Sequence, residues 1–460
     1  MEETKLMEKV VNLAKARGFI YPSSEIYGGL SASYDYGPLG VELKNNIKKA
    51  WWKMFVTDRS DMVGLDAAII MHPKAWEASG HLDNFSDPLV ECKKCHKRFR
   101  YDHLLENQSI KPKHDKAKPV DKKDLVCPEC GGEITDVKQF NMMFKTFMGP
   151  VEDSASVVYL RPETAGGIFV NFKNVLDTQR MRLPFGIGQI GKAFRNEITT
   201  ENFIFRTREF EQMEVEYFVN PKDWEKAFDG WLKVMRNWCL FLGLDKKDIV
   251  EQEIADKDRA FYSKRTVDFE YKFPFGQKEL YGLAYRTDYD LAQHQKFSGA
   301  DLSYADPVTK EKFVPHVIEP SLGVDRSVLA VLLSAYTEIE GGRSTTTESI
   351  KEKEVVLKLP YDLAPIKVAV LPLSKKDALV DLSHQILSDI KKNFVAMYDE
   401  TGSIGKRYRR QDEIGTPYCV TVDFESLEDK KVTVRDRDSM TQDRINIAEL
   451  RGYLQEKFNL

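Results

Sequence analysis

Arginines and carboxylates alternate through residues 191–218, a pattern of residue types that could hold phosphate groups. The stretch reads GKAFRNEITTENFIFRTREFEQMEVEYF, and two strand-like runs flank its polar middle, which predicts an antiparallel hairpin with a long loop. Arg195 and Glu197 should share one face of the first strand, and Arg206 and Arg208 should begin the return strand. Guanidinium groups bind phosphate oxygens in pairs, and carboxylates can hold Mg²⁺ or an ammonium group. On spacing alone, a surface hairpin laced with ion pairs explains the pattern equally well.

Two C-x-x-C pairs, Cys92/Cys95 and Cys127/Cys130, have the spacing of zinc knuckles. Residues 96–126 separate them, which exceeds the roughly 15–20 residues of compact zinc ribbons. The Lys-rich stretch 111–124 would form the excess as a mobile loop within an insertion over 91–139. The pattern predicts a structural Zn²⁺ site, with four reduced thiols as the alternative. Because four cysteines fill the metal's coordination sphere, the site would take no part in catalysis.

The motif G-x-G-x-x-G also occurs, as GIGQIG at 186–191. Such a motif binds a dinucleotide when it joins a strand to a helix. Here it leads into the strand-like AFRNEI, so no helix N-terminus would meet a pyrophosphate. We therefore reject this reading.

Composition limits the class of protein. The 460 residues exceed the roughly 250–300 of a single core, so we expect two or three domains. The net charge of -4 excludes a protein that coats nucleic acid with a basic surface overall, but it allows one local basic face. Six cysteines are few, which favours a reducing compartment. We find neither a signal peptide nor an apolar run of membrane-spanning length, and we expect a cytoplasmic protein.

Periodicity predicts the elements that carry these residues. Helices are predicted over 41–56, 223–243 and 323–336, and a buried strand over 64–73. The stretch 337–354 is polar and contains glycine, and we place the domain linker at 346–361. Beyond it, strands at 366–373 and 430–437 alternate with helices at 378–393 and 445–458, which predicts a small, mainly parallel α/β domain. The basic cluster at 402–415 is either an RNA contact or a solvated helix face.

Three motifs then resemble those of the class II aminoacyl-tRNA synthetases, in the class order. FRNE with RTREF resembles motif 2, HVIEPSLGVDRSVLAVLL (316–333) resembles motif 3, and the helix–strand–proline unit ending at Pro73 resembles motif 1, the dimer interface of the class. YPSSEIYGGLSASYDYGPLG, SGHLDNFSDP, YLRPETAGGIF and ELYGLAYRTDYDLAQH narrow the resemblance to the glycyl-tRNA synthetases of the dimeric type. The C-terminal TPYCVTVDFES and VTVRDRDSMTQDRI also fit, so the resemblance covers nearly the whole chain.

The resemblance implies an α+β fold and a two-step reaction. The catalytic domain (1–345) would be an antiparallel sheet flanked by helices with a zinc-knuckle-like insertion, followed by a C-terminal α/β anticodon-binding domain (362–460). The enzyme would activate glycine with ATP and Mg²⁺, and transfer it to the 3′-terminal ribose of tRNA-Gly. It would act as a homodimer.

The resemblance also assigns an ATP site. Arg195 would grip the α-phosphate, Arg206 the terminal phosphates, and Glu279 would hold Mg²⁺. Phe210 would stack on adenine with Arg326 on its other face or on the γ-phosphate, while Glu197 would contact the adenine amino group. Arg195, Glu197 and Arg326 are the implied catalytic residues. The full implied set is Arg195, Asn196, Glu197, Phe205, Arg206, Thr207, Arg208, Glu209, Phe210, Glu279, Leu280, Gly323 and Arg326.

Glycine has no side chain to recognise, so its pocket must bind the ammonium and exclude a methyl group. The resemblance surrounds the ammonium with Glu163, Glu214, Glu319 and Ser321, and places Arg100 against the carboxylate. The full implied set is Arg100, Glu163, Phe210, Glu211, Glu214, Glu319 and Ser321.

Two rival readings are a class IIa synthetase for serine, threonine, proline or histidine, and a non-catalytic relative such as a polymerase accessory subunit. The three glutamates and RPETAGGIF disfavour the first. The presence of Arg195, Arg206 and Arg326 disfavours the second.

Overall fold

A computed structural model describes residues 2–109, 125–200, 202–341, 343 and 353–458 of the chain. The predicted loop at 111–124 lies outside these residues, as does the part of the predicted linker before Lys353. The helices are α1 (Glu2–Ala16), α2 (Pro38–Trp52), α3 (Pro73–Ala78), α4 (His81–Asn84), α5 (Tyr101–Ser109), α6 (Ala165–Gln179), α7 (Trp224–Phe241), α8 (Tyr289–Ser298), α9 (Val324–Ala335), α10 (Asp377–Ile390), α11 (Ile404–Ile414), α12 (Glu425–Asp429) and α13 (Leu450–Lys457).

The strands are β1 (Ile20–Pro22), β2 (Tyr34–Tyr36), β3 (Met62–Gly64), β4 (Ser86–Glu91), β5 (Arg98–Arg100), β6 (Lys138–Asn141), β7 (Lys145–Phe147), β8 (Val157–Tyr159), β9 (Phe185–Phe194), β10 (Glu209–Val219), β11 (Ile249–Glu253), β12 (Arg265–Phe273), β13 (Gly276–Thr287), β14 (Tyr304–Ala305), β15 (Lys312–Phe313), β16 (His316–Gly323), β17 (Tyr336–Glu340), β18 (Lys353–Leu357), β19 (Val368–Pro372), β20 (Ala396–Tyr398), β21 (Tyr418–Val422), β22 (Lys431–Asp436) and β23 (Gln442–Asn446). Among the described residues no helix combines the length and hydropathy needed to cross a bilayer.

A seven-stranded sheet forms the centre of the larger domain, in the order β11-β12-β13-β16-β10-β9-β3. Its pairings are antiparallel except for β3, which runs parallel to β9. Helices α1, α2, α7 and α9 cover one face and share its apolar core. Helix α7 shows why: Phe228, Trp231, Met235 and Trp238 recur every three or four residues and form its buried stripe. The predicted antiparallel sheet flanked by helices is confirmed.

Alternation along β10 separates this core from the opposite face of the sheet. Met213, Val215 and Tyr217 point into the core under α2, α7 and α9. Phe218, of the other parity, packs instead against α6 in a second cluster of buried residues. Polar residues therefore lie on this second face of β10, between its N-terminal end and Phe218. That stretch of the strand faces the candidate site.

The predicted buried strand at 64–73 is wrong. Strand β3 ends at Gly64, and Ile70, with 48% of its surface exposed, forms a single bridge to Leu160. The Arg161 guanidinium donates a hydrogen bond to the backbone carbonyl of Ala67 (2.7 Å), so this carbonyl binds a side chain and not a neighbouring strand. Pro73 then starts helix α3, since proline suits the first helical position.

The glycines of GIGQIG lie inside β9, so rejecting a dinucleotide site was correct. Each glycine makes room for a neighbour. A Cβ on Gly186 would lie 2.4 Å from the Met62 sulfur, and one on Gly191 would lie 2.2 Å from the Arg161 guanidinium. The motif serves close packing.

The C-terminal domain has a five-stranded sheet in the order β20-β19-β21-β22-β23. Two pairings are parallel and two antiparallel, so the sheet is mixed rather than mainly parallel. The first part of the predicted helix at 445–458 belongs to β23, and the helix begins at Leu450. The stretch 337–354 also differs from its prediction, because β17 and β18 pair at its two ends. The domain boundaries stay a prediction.

Candidate active site

A cleft of about 270 Å³ opens on the polar face of the large sheet. Most of the predicted ATP residues line it, together with four of the predicted glycine residues. The lining residues are Arg100, Met142, Arg195, Glu197, Ile204, Phe205, Arg206, Thr207, Phe210, Glu211, Gln212, Glu279, Leu280, Ser321, Gly323, Asp325 and Arg326. Of the predicted ATP residues, Asn196, Arg208 and Glu209 are not among them.

The predicted hairpin is confirmed, with β9 and β10 antiparallel, but its arginines lie just outside the strands. Strand β9 ends at Phe194, and Arg195 continues the pairing through a backbone hydrogen bond to Arg208 (2.9 Å). The Arg195 guanidinium donates to the carbonyl of Pro162 (3.0 Å) and lies 5.2 Å from the centre of the Phe210 ring. A positive group is thus fixed beside an aromatic wall of the cleft.

Arg206 and Arg326 bring two more cations to the cleft. One terminal nitrogen of Arg206 is buried and has no hydrogen-bond partner among the described residues. The Arg326 guanidinium lies 4.4 Å from the Phe205 ring centre and 3.2 Å from a carboxylate oxygen of Glu279. Arg326 lowers the pKa of Glu279, which is half-exposed at the rim. These cations and this carboxylate suit a polyphosphate with a bound metal.

Three of the predicted site residues, Arg208, Glu209 and Glu211, use their side chains in contacts away from the cleft. Arg208 donates to the backbone carbonyls of Ser31 and Glu197, so it ties two loops together. Glu209 is exposed and pairs with Lys192 on the neighbouring strand (2.6 Å). Glu211 lines the cleft, but its carboxylate turns to helix α2 and pairs with two lysines, Lys44 and Lys48 (both 3.0 Å).

Three predicted glutamates lie deeper than the cleft, in a buried acidic pocket. Glu214 accepts hydrogen bonds from the hydroxyls of Thr164 (2.5 Å) and Ser321 (2.7 Å), and Ser321 lines the cleft above it. Glu319 accepts from the Arg286 guanidinium (2.5 Å). Glu163 lies 3.4 Å from the His81 ring nitrogen. Sequence and structure therefore agree that Glu163, Glu214 and Glu319 form one group.

The glutamates differ in their electrostatics. Burial would raise the pKa of Glu163, but His81 and then Arg286 outweigh it and lower that pKa to about 2. Burial, reinforced by Glu163, raises the pKa of Glu214. Burial also raises the pKa of Glu319 to about 8, although Arg286 opposes it. The pocket is therefore acidic and short of compensating cations, which suits an incoming ammonium.

Arg286 at the base of this pocket was not predicted. It is almost fully buried, forms two 2.8 Å hydrogen bonds with Asp290, and lies 3.8 Å from the Tyr262 ring centre. The four-residue spacing of Arg286 and Asp290 was a weak signal for an ion pair. Glu216 was also missed. It follows Glu214 by two positions on β10, and the period of the strand could have found it.

Arg100 lines the cleft at the edge of the inserted subdomain. It pairs with Asp87 (2.9 Å) and Asp102 (2.6 Å). Its guanidinium is partly exposed and is held by the inserted sheet β5-β4-β6. A cation is thus presented from outside the main sheet, where it can reach a ligand in the cleft.

The four cysteines of the insertion converge. Their sulfurs all lie within 4.8 Å of one another, with Cys92 and Cys130 at 3.5 Å and Cys95 and Cys127 at 3.7 Å. Zinc–sulfur bonds of ~2.3 Å in a tetrahedron place sulfurs ~3.8 Å apart. Gly132 leaves the space beside them, because its Cβ would lie 3.0 Å from the Cys92 sulfur. The donor set and its geometry fit Zn²⁺.

The basic cluster at 402–415 is only partly solvated, and its contact with RNA stays a prediction. On α11, Arg407 and Arg409 are buried, and Arg407 donates to the carbonyl of Pro372. Arg410 pairs with Asp399 (2.5 Å). Arg407 and Arg410 therefore bind within the domain, Arg409 is buried with one terminal nitrogen unpartnered among the described residues, and Lys406 is exposed.

Sequence and structure comparisons give consistent matches. Residues 147–336 match the tRNA synthetase class II core domain (G, H, P, S and T), and residues 367–457 match an anticodon binding domain. The glycine–tRNA ligase of Alkaliphilus oremlandii is 55% identical over 99% of both chains, and that of Geobacillus kaustophilus is 54% identical over 98% of both. The crystal structure of prolyl-tRNA synthetase from Cryptosporidium parvum covers 98% of this chain and is itself covered over 76%, with a TM-score of 0.60 at 14% identity. That last likeness concerns the fold.

Proposed function

The chain belongs to the glycine–tRNA ligase family of class II aminoacyl-tRNA synthetases, and we propose that it activates glycine with ATP in the cleft and then esterifies tRNA-Gly. In the first step the glycine carboxylate attacks the α-phosphorus of ATP, and pyrophosphate leaves. In the second, a hydroxyl of the 3′-terminal ribose attacks the glycyl carbonyl, and AMP leaves. The observation that carries this proposal is that a cleft lined by four arginines adjoins a buried acidic pocket, to which Ser321 connects it.

Arg195, Arg206 and Arg326 would bind the nucleotide. A carboxylate is already ionised at neutral pH, so the first step needs no general base. The chain's contribution is to align glycine with the α-phosphate and to stabilise the charge that develops there. Arg195, which donates to the carbonyl of Pro162 and lies beside Phe210, would bind the α-phosphate, and Phe210 would stack on the adenine. Glu197, which lines the cleft, would accept from the adenine amino group.

Mg²⁺ would bind the phosphates from the rim. Glu279 is half-exposed there, and it lies opposite Glu270 in the β12–β13 pairing. Hard oxygen donors of this kind suit Mg²⁺, so Glu279 would hold the ion at the rim. The ion would supply charge neutralisation as pyrophosphate leaves.

Glycine would enter with its ammonium toward Glu163, Glu214 and Glu319. These carboxylates are too deep to reach a nucleotide, but Ser321 and Gln212 connect them to the cleft. The Arg100 guanidinium, which pairs with Asp87 and Asp102, would face the glycine carboxylate. A larger amino acid would have to place its side chain among buried, hydrogen-bonded groups.

The remaining assignments extend beyond the site. We propose Zn²⁺ on the four cysteines, tRNA-Gly contact through the anticodon-binding domain, and a cytoplasmic location. We also propose a homodimer through the motif 1 region, where the exposed Ile70 lies. Sedimentation velocity would test the dimer, and a monomer at micromolar concentration would contradict it.

Pyrophosphate exchange with ATP tests the proposed reaction directly. Across all twenty amino acids we expect glycine alone to support exchange, and tRNA-Gly alone to be charged. Glu214→Gln should raise the KM for glycine by about tenfold while the KM for ATP stays close to that of the wild type, because a charged hydrogen bond to the ammonium is lost. Exchange with serine or proline, or none with glycine, would refute the proposal.

A further inference from the structure

Glu216 is a buried carboxyl group that none of the roles described above uses. It is 0% exposed, and within the described part of the chain neither of its carboxylate oxygens has a hydrogen-bond partner. Leaving a buried ionised group without a partner costs several kcal/mol. A fully buried glutamate without a donor therefore calls for an explanation.

The sheet aims Glu216 into the acidic pocket. It has the same parity on β10 as Gln212 and Glu214, so its side chain leaves the strand on the same face. Glu214 lies opposite Ser321 and Tyr217 opposite Ile318, which puts Glu216 across from Glu319. Oxygens of Glu214, Glu216 and Glu319 lie within 4.8 Å of one another.

The hydrogen bonds that reach this group of carboxylates go to the neighbours of Glu216. The Arg286 guanidinium binds Asp290 and Glu319, while Glu214 receives the hydroxyls of Thr164 and Ser321. Carboxyl groups this close cannot all be ionised around one guanidinium. Ionisation is least favourable for Glu216, the carboxyl of this group that receives no hydrogen bond.

We infer that Glu216 is a positioning residue of the amino-acid pocket, a protonated carboxyl that donates a hydrogen bond to the glutamates that bind the glycine ammonium. This rests on the proposed pocket. In its neutral form Glu216 supplies a donor where further negative charge would be too costly. It thereby limits the motion of Glu214 and Glu319, whose oxygens must converge on a small cation.

Electrostatics agrees with this geometry. Burial, and then the charge of Glu319, raise the pKa of Glu216 well above its usual value. Arg286 opposes them, and Glu214 and Asp290 add to them. These groups come from β16, β13, β10 and α8, the elements packed around the side chain.

Two substitutions separate the donor from the charge. Glu216→Gln keeps the shape and an N–H donor, and we expect the KM for glycine at pH 7 to stay within about threefold. Glu216→Leu removes the donor, and we expect that KM to rise about tenfold with the KM for ATP unchanged. An unchanged glycine KM in folded Glu216→Leu would overturn the inference, as would an equal rise in both variants.

Infrared spectroscopy supplies a readout that does not depend on the leucine variant folding. At pH 7 the infrared difference spectrum between the wild type and Glu216→Gln should contain one carbonyl band of a protonated carboxylic acid, because Glu319 contributes its band equally to both proteins. The absence of that band from the difference spectrum would overturn the inference. Glu354→Gln is the matched control, because Glu354 is also a buried strand carboxylate but pairs with Arg343 away from the pocket. It should alter stability and leave the glycine KM unchanged.

Glu214→Gln distinguishes a wrong role for Glu216 from a wrong assignment of the whole pocket. If it raises the glycine KM and Glu216→Leu does not, the pocket stands and the role of Glu216 is wrong. If Glu214→Gln leaves the glycine KM unchanged, the pocket assignment fails and the inference fails with it.

Discussion

At the scale of single residues, the protonation of Glu319 should make glycine binding depend on pH. Burial, with added repulsion from Glu214 and Glu163, raises its pKa to about 8. Below that value a proton occupies the carboxyl that the ammonium needs. Raising the pH from 6.5 to 8.5 should therefore lower the KM for glycine by about 25-fold, since with this pKa the ionised fraction of Glu319 rises from about 3% to about 76%. Steady-state pyrophosphate exchange measures this, with the KM for ATP as the internal control.

The pKa shifts of Glu319 and Glu163 change the free energy of unfolding in opposite directions. The folded-state pKa of Glu319 lies above its ordinary 4.5, so Glu319 destabilises the fold increasingly as the pH rises from 4.5 toward 8. Glu163 has a pKa lowered to about 2, so its stabilisation is present above pH 4.5 and is lost as the pH falls toward 2. A glycine KM that rose with pH would contradict the assignment of Glu319 to the ammonium.

At the scale of elements, the sequence predicts those helices and strands whose buried faces follow from the spacing of apolar residues. The hairpin of β9 and β10 and the stripe of α7 followed from periods of two and of 3–4 residues, and the structure confirms them. Arg286 and His81 could not be found in this way. They come from segments far apart in the chain and meet Glu163 only through packing. The strand prediction at 64–73 was wrong because it rested on apolar composition alone. The backbone carbonyl of Ala67 accepts a hydrogen bond from the Arg161 side chain, which composition could not reveal.

The inserted subdomain is an element whose stability should depend on zinc. Metal analysis should find one Zn²⁺ per chain, and Cys127→Ser should reduce it and loosen the insertion, because each thiolate is a quarter of the coordination sphere. Cys419→Ser is the control, since Cys419 is buried in the C-terminal sheet and away from the cluster. A wild type without zinc, or full zinc in Cys127→Ser, would rule the metal out.

At the scale of the whole molecule, the two domains are joined through a buried ion network as well as apolar contacts. The chain segment between the seven-stranded and the five-stranded sheet packs into the core of the larger domain through Leu357, Leu359 and Leu363. Asp412 on α11 accepts from Arg343 (2.6 Å) and forms two hydrogen bonds with Arg435 (3.0 and 2.9 Å). Burial raises the pKa of Asp412, and Arg435 opposes that shift. The contact between the two domains therefore includes one buried carboxylate, Asp412, that binds two arginines.

Asp412→Asn should show whether this junction matters for tRNA more than for glycine activation. It leaves the buried Arg435 guanidinium without its anion and Arg343 with Glu354 alone, which should cost about 3–5 kcal/mol in unfolding free energy. Below the unfolding temperature, pyrophosphate exchange should stay near the wild-type rate, because the cleft is remote from α11. Charging of tRNA-Gly should fall about tenfold, because tRNA must reach both domains at once. Asp389→Asn, at an exposed pair with Arg451, is the control and should cost less than about 1 kcal/mol. Equal losses of exchange and charging in Asp412→Asn would show that the junction supports folding without orienting the tRNA.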